Sequence, residues 1–142
     1  MSNVQQKVTC IGLGNMGWEL AARLTKSEEP HFSVTVWDRL VSKGMDFSKE
    51  YTDKYAVETY EHVGESIINS DIVFTCVNTT DGVHEIITNA LKEIENTGNM
   101  NEFKEKKRLW VDCTSGSGDA NSLKPLLAKM HEGNFNYVDC AV

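Results

Sequence analysis

The chain has 142 residues, a length that fits one domain with a substantial core. Its 14 basic and 21 acidic side chains give a formal net charge of −7, which argues against a nucleic-acid surface because such surfaces are usually basic. No apolar run approaches the length of about 18 residues that a membrane span needs, and the N-terminus lacks the pattern of a secretion signal. We therefore expect neither nucleic-acid nor membrane partners and a cytoplasmic location, with mitochondria open for a longer parent protein.

The first predicted elements are a strand, a glycine-rich turn and a helix. An apolar run starting at Val8 leads into a G-x-G-x-x-G motif formed by Gly12, Leu13, Gly14, Asn15, Met16 and Gly17. In this context the motif indicates dinucleotide binding. Gly12 permits the sharp turn, Gly14 lets a pyrophosphate approach the backbone, and Gly17 lets the helix pack closely on the sheet. The helix N-terminus would offer N–H groups to the phosphates.

A second strand is predicted from Ser33 to Asp38, and its last residue is acidic. An acidic side chain about 20 residues after the glycine motif can accept both hydrogen bonds of an adenosine ribose diol. The alternative is that Asp38 only starts a turn, since aspartate is common in turns. The guanidinium of Arg39 could stack on adenine or pair with a 2′-phosphate. Because Asp38 would repel that phosphate, we favour NAD as cofactor and keep NADP open.

The rest of the chain continues the alternation of strand and helix patterns. The six predicted strands are Lys7–Gly12, Ser33–Asp38, Tyr55–Tyr60, Asp71–Val77, Leu109–Cys113 and Phe135–Asp139. Predicted helices cover 16–27, 41–51, 61–70, 80–94 and 119–132, while the polar stretch 95–107 is predicted to be a surface excursion. This alternation predicts an α/β fold, a Rossmann-type, doubly wound, mostly parallel sheet with helices on both faces. Residues 1–142 would form a single dinucleotide-binding domain.

Four cysteines stand in or beside the strand patterns, at Cys10, Cys76, Cys113 and Cys140. None forms a C-x-x-C pair, so we expect buried thiols that act as small apolar side chains and no metal site. Ligands of doubly wound sheets bind beyond the carboxyl ends of the strands. The segments after the predicted strands are therefore the places to look for binding residues.

Three segments of the chain resemble the β-hydroxyacid dehydrogenase family, which includes 3-hydroxyisobutyrate dehydrogenase and 6-phosphogluconate dehydrogenase. The glycine motif, with methionine at Met16, is similar to the opening motif of that family. The segment Val111–Ser115 resembles its D-x-S-T segment, and Tyr137–Val142 resembles the start of its D-A-P-V-S-G-G segment. Because the three segments follow in the family's order, the chain is identified as similar to the family's N-terminal NAD(P)-binding domain.

The resemblance implies which residues bind cofactor and substrate. Cofactor-binding positions would be Gly12, Leu13, Gly14, Asn15, Met16, Gly17, Asp38, Arg39, Val77, Asn78, Val83 and Thr114. Substrate-binding positions would be Thr114 and Ser115, with the Thr114 hydroxyl able to bond a substrate carboxylate. The alternative for Thr114 is an ordinary hydroxyl at a strand end. The chain departs from the family where Val77-Asn78 replaces Leu-Pro, where Gly116-Ser117-Gly118 replaces a proline and where Cys140-Ala141 replaces Ala-Pro. The resemblance therefore leaves the substrate open.

The resemblance also implies a function that this chain would carry only in part. The family's catalytic lysine and its helical second domain lie beyond Val142, so no residue here is assigned as catalytic. We expect the cofactor-binding domain of a 3-hydroxyacid dehydrogenase-like oxidoreductase, inactive alone. The parent would transfer hydride between the nicotinamide and a small 3-hydroxy acid or its semialdehyde, and would form a homo-oligomer through the missing domain. The alternative is a non-catalytic NAD(P)-sensing module that regulates a partner.

Overall fold

A computed structural model describes residues 5–114 and 120–140, and in these ranges six parallel strands form one sheet. The strands are β1 (Gln6–Ile11), β2 (Phe32–Trp37), β3 (Val57–Thr59), β4 (Ile72–Thr75), β5 (Arg108–Asp112) and β6 (Phe135–Asp139). Their order across the sheet is β3-β2-β1-β4-β5-β6, and every neighbouring pair is parallel. The order reverses between β1 and β4, which is where such sheets open a ligand crevice. The predicted Rossmann-type α/β fold is confirmed.

Helices cover both faces of this sheet. They are α1 (Asn15–Lys26), α2 (Val41–Tyr51), α3 (Val63–Ile67), α4 (Thr80–Asn96), α5 (Met100–Glu105) and α6 (Ala120–Glu132). Side chains of α1 and α2 form one core with the sheet, and side chains of α3 to α6 form a second core. No helix within the described ranges is both long enough and apolar enough to cross a bilayer.

Strand β1 shows how one sheet serves two cores. Val8 and Cys10 belong to the core under α1 and α2, whereas Ile11 belongs to the core under α3 to α6. Successive side chains of a strand point to opposite faces, so an apolar strand in a parallel sheet contributes to both. This explains the mostly apolar run Val8–Ile11 that precedes the glycine motif.

The predicted surface excursion at 95–107 is wrong in part. Helix α4 continues to Asn96, and Met100–Glu105 forms α5. Phe103 is buried, and its ring lies 5.8 Å from the ring of Phe135. Met100 and Phe103 are three residues apart and therefore share one side of a helix. This pair is a weak signal for a helix, because the residues around it are polar.

The expectation that all four thiols are buried is also wrong. Cys10 is buried, Cys76 and Cys113 are half-buried, and Cys140 is exposed. The last three follow the final residues of β4, β5 and β6 rather than lying within the strands. Their environment is therefore the edge of the sheet.

Candidate functional site

A cleft of about 680 Å³ opens at the carboxyl ends of β1, β2 and β4. Its size lies in the range of small-molecule and cofactor sites. One wall contains Gly12 and Gly14 of the glycine turn, and the floor continues through Val77 and Asn78 after β4. The opposite wall is α4. The cleft thus lies at the switch point of the sheet, where the topology predicts a ligand.

The three motif glycines have different surroundings. Gly12 has a φ of +97°, and a Cβ there would lie 2.2 Å from the carbonyl oxygen of Cys76. A Cβ at Gly17 would lie 1.9 Å from the carbonyl oxygen of Gly12. Around a Cβ at Gly14, in contrast, no atom of the described residues lies within 4 Å apart from Gly14 itself and its two chain neighbours. The fold therefore requires Gly12 and Gly17, while the space at Gly14 is open for a ligand.

The N-terminus of α1 begins at this open space. Gly14 is its N-cap, with no capping hydrogen bond from a described side chain and no acidic residue in the first turn. The first N–H groups of a helix have no partner within it. Together with the helix dipole, these groups suit an anion such as a diphosphate. Asn15 and Met16 in this turn are exposed.

Asp38 connects the end of β2 to the glycine turn. Its Oδ2 accepts a hydrogen bond from the backbone N–H of Leu13 at 2.8 Å, and its Oδ1 accepts one from Leu40 at 2.8 Å. An ionised carboxylate offers about four acceptor sites, so about two stay available. Asp38 is thus held in place by the backbone and keeps acceptor capacity at the cleft.

Charged side chains line the part of the cleft next to Asp38. Arg39 pairs with Glu85 of α4 at 3.3 Å, with both side chains largely exposed at 79% and 58%. Among the described lining residues, the acidic ones are Asp38, Glu61, Glu85 and Glu93, and the basic ones are Arg39 and Lys43. The lining is therefore more acidic than basic, and none of these charged side chains belongs to the first turn of α1.

A buried polar network fixes the strand ends on the other side of the cleft. The Asp112 carboxylate, 4% exposed, accepts hydrogen bonds from the Thr75 hydroxyl at 3.0 Å, the Thr114 backbone N–H at 3.0 Å and the Tyr137 hydroxyl at 2.7 Å. Burial and the hydrogen bond to Asp112 raise the pKa of Tyr137, so its hydroxyl stays a donor. This network joins β4, β5 and β6.

Thr114 lies behind the cleft floor rather than on it. It is 5% exposed, and its hydroxyl oxygen accepts a hydrogen bond from the backbone N–H of Val77 at 3.1 Å. The hydroxyl thus positions the segment after β4 in this state. Ser115, the second residue assigned to substrate, lies outside the described residues.

The structure brings together only part of the set of candidate residues. Gly12, Gly14, Asp38, Arg39, Val77 and Asn78 line the cleft. Val83 is fully buried in the core, and the side chain of Leu13 is 3% exposed in the other core. Val83 and Leu13 therefore contribute packing, and Leu13 also donates its N–H to Asp38.

Sequence reasoning missed the wall that α4 contributes. Its cleft-lining residues are Gly82, Glu85, Ile86, Asn89 and Glu93. They lie at relative positions i, i+3, i+4, i+7 and i+11, which places them on one face of a helix. That spacing was a usable signal, but a polar helix face normally indicates exposure to solvent.

The described residues contain no group of three or more histidine, cysteine or acidic side chains arranged to hold a metal ion.

Comparisons with known proteins identify relatives of this chain. The model of the family described as the NAD binding domain of 6-phosphogluconate dehydrogenase matches residues 7–142. An uncharacterized oxidoreductase of Shewanella frigidimarina (strain NCIMB 400) is 35% identical over 81 residues, which are 57% of this chain and 25% of that protein.

Solved structures share the fold at low sequence identity. An imine reductase from Pseudomonas sp. superposes with a TM-score of 0.72 at 20% identity, covering 95% of this chain and 40% of that one. The 3-hydroxyisobutyrate dehydrogenase of Mycobacterium tuberculosis, solved with L-serine, gives a TM-score of 0.69 at 19% identity over 98% of this chain and 41% of that one. The chain thus spans well under half the length of these relatives.

Proposed function

Because this chain belongs to the family of NAD binding domains of 6-phosphogluconate dehydrogenase, we propose that its cleft holds the adenosine diphosphate half of a nicotinamide dinucleotide. The resemblance noted in the sequence is confirmed at the level of the family. The observation that carries the proposed placement is Asp38, whose carboxylate is anchored by two backbone N–H groups with acceptor capacity left over. The adenosine ribose would occupy that capacity.

The diphosphate would lie against the first turn of α1. A phosphate oxygen can approach Gly14 because a Cβ there would have no described neighbour within 4 Å. The N-terminal N–H groups of the twelve-residue helix α1 would then donate to the phosphates. The glycine turn and α1 thus supply the phosphate site without any basic side chain.

We further propose that NAD is preferred over NADP. A 2′-phosphate would lie beside the Asp38 carboxylate, and the described cleft lining carries four acidic against two basic side chains. Arg39 is the side chain best placed to attract that phosphate, but its guanidinium already pairs with Glu85. Binding of NADP would therefore require this ion pair to be exchanged, whereas NAD leaves it intact.

In the whole protein, this domain would serve an oxidoreductase that acts on a small 3-hydroxy acid or its semialdehyde. Bound nicotinamide would supply the hydride. This chain would orient the nicotinamide. Once the backbone N–H of Val77 releases the Thr114 hydroxyl, that hydroxyl would turn to the substrate. Hydride transfer also needs an acid or base near the reacting carbon, and none is assigned here, so we expect no turnover by this chain alone. The matched relatives are named as oxidoreductases, so the sensing alternative is not favoured.

Titration of NAD and NADP into an Asp38→Ala variant tests the proposal. We expect the affinity for NAD to fall at least tenfold, or about 1.4 kcal/mol, and the affinity for NADP to fall less. Asp38 also holds Leu13 and Leu40, but loss of that anchorage would weaken both cofactors, so the ratio of their dissociation constants isolates ribose recognition.

Asp53→Ala is the matched control, since it removes an exposed carboxylate and should leave both affinities unchanged. Calorimetry would measure the six dissociation constants of the parent protein and the two variants for NAD and NADP. An equal loss for the two cofactors in Asp38→Ala would show that Asp38 does not bind the ribose.

A further inference from the structure

Three cysteines form a row along the carboxyl edge of the sheet. Thr75 pairs with Asp112, and Asp112 pairs with Asp139, in the registers of β4, β5 and β6. The residues that follow are Cys76, Cys113 and Cys140. The ladder continues through them, because the N–H of Cys113 donates to Thr75 at 2.8 Å and the N–H of Cys140 donates to Asp112 at 2.8 Å.

Within this row, Cys113 and Cys140 have the geometry of a pair. Adjacent strands lie about 4.8 Å apart, inside the range of about 4.4–6.8 Å between Cα atoms joined by a disulfide. Residues in register on parallel strands point to the same face. After burial itself, Cys140 contributes most of all neighbouring side chains to the raised pKa of the Cys113 thiol. Both thiols are free in this structure.

We infer that Cys113 and Cys140 form an oxidisable dithiol, which hydrogen peroxide converts into a disulfide bridging β5 and β6. The inference does not depend on the cofactor proposed above, since neither sulfur belongs to the described cleft lining. The bridge would form beside Thr114 and across the strands that Asp112 and Tyr137 already join.

The exposed thiol reacts first. Peroxide reaches Cys140 more readily than Cys113, because Cys140 is exposed and Cys113 is half-buried. The Cys140 sulfur, as thiolate, attacks one peroxide oxygen. The O–O bond breaks, the other oxygen leaves as water after protonation, and Cys140 becomes a sulfenic acid.

The second step forms the bridge. The Cys113 sulfur attacks the Cys140 sulfur, the S–O bond breaks, and a second water leaves with the proton from Cys113. Two thiols have then lost two electrons and two protons, and one peroxide has become two waters. Burial raises the pKa of the Cys113 thiol to about 11, which disfavours its own reaction with peroxide because the thiolate is the nucleophile.

Peptide mapping of the intact protein tests the inference. The protein is treated with hydrogen peroxide, its remaining thiols are alkylated under denaturing conditions, and it is digested with trypsin without reduction. The four cysteines fall in separate tryptic peptides, because cleavage sites separate each from the next, among them Arg23, Lys54, Arg108 and Lys129. Mass spectrometry can therefore distinguish every pairing.

We expect a linked species that joins the peptide starting at Leu109 to the peptide starting at Met130, and at least tenfold less of any link to Cys76. A dominant Cys76–Cys113 link, oxidation of Cys140 to sulfinic acid without a link, or no reaction would overturn the inference. The peptide map uses the unsubstituted protein, so its result does not depend on whether a variant folds.

Two variants sharpen the result. Cys140→Ser should abolish the link and leave Cys113 open to alkylation. Cys76→Ser is the matched control, since Cys76 is the other neighbour of Cys113 in the row, and it should leave the Cys113–Cys140 link unchanged. A link lost equally in both variants would also contradict the assignment.

Discussion

The two halves of the sheet's carboxyl edge use polar groups in opposite ways. At the end of β1 and β2, Asp38 keeps spare acceptor sites, and the N-terminus of α1 has no described side-chain cap. At the end of β4 to β6, Asp112 is buried and its oxygens accept from three donors of the protein. The same topology thus produces a ligand edge, where we propose that the cofactor binds, and a bracing edge, where polar groups join the strands.

The largest expected effect is the loss of stability in Gly17→Ala, because the ligand edge also has a rigid part. In Gly17→Ala the new Cβ would lie 1.9 Å from the Gly12 carbonyl oxygen, so α1 must move away from the turn. We expect a loss of about 3 kcal/mol in the free energy of unfolding. Urea denaturation measures it, and stability equal to that of the parent would show that α1 and the turn can shift freely.

The bracing edge should respond to removal of Asp112. Asp112→Ala leaves three donors without their acceptor, and we expect a loss of about 2 kcal/mol in stability. Asp139→Ala is the matched control, because Asp139 is its register partner and is exposed. If both variants unfold at the same urea concentration, the Asp112 network does not stabilise the sheet.

Gly14→Ala should separate binding from folding. The added methyl group meets no described atom within 4 Å, so the stability should stay close to that of the parent. The methyl would enter the space of the diphosphate, and we expect NAD to bind at least tenfold more weakly, or about 1.4 kcal/mol. Calorimetric titration alongside a thermal melt measures both quantities, and an unchanged affinity would place the phosphates elsewhere.

The smallest effect is expected at Glu85. Glu85→Gln removes the charge that holds Arg39, and exposed ion pairs contribute little. We expect the affinity for NADP to rise about threefold while that for NAD stays the same. Glu95→Gln, on the part of α4 away from the described cleft lining, is the control. A fall in NADP affinity would mean that Glu85 helps to present Arg39 rather than occupying it.

The sequence predicted helices and strands well where the spacing of apolar residues agrees with residues typical of turns at the ends of the element. The glycine motif, the acidic end of β2 and the six strands all follow from neighbours in sequence. Helix α5 was not predicted, because only Met100 and Phe103 mark its buried side. Strand boundaries differ by a few residues, as at β3, which is shorter than predicted.

The site was harder to predict because its contacts join distant parts of the chain. The hydrogen bond from Leu13 to Asp38 joins residues 25 positions apart in the sequence, and the hydrogen bond from Val77 to Thr114 joins residues 37 positions apart. The resemblance could suggest that Thr114 matters, but only packing shows that its hydroxyl is occupied. Similarly, the proposed dithiol of Cys113 and Cys140 depends on strand register, which the spacing of the cysteines in the sequence does not reveal.

The open space at Gly14 has a consequence for the history of such domains. Gly12 and Gly17 are constrained by folding, whereas the space beside Gly14 is open and, under the proposal above, would be filled by the diphosphate. A descendant that no longer needs its coenzyme would be free to change Gly14 first and would retain the other two. The middle glycine is therefore the position at which to look for domains that have kept this architecture and abandoned its ligand.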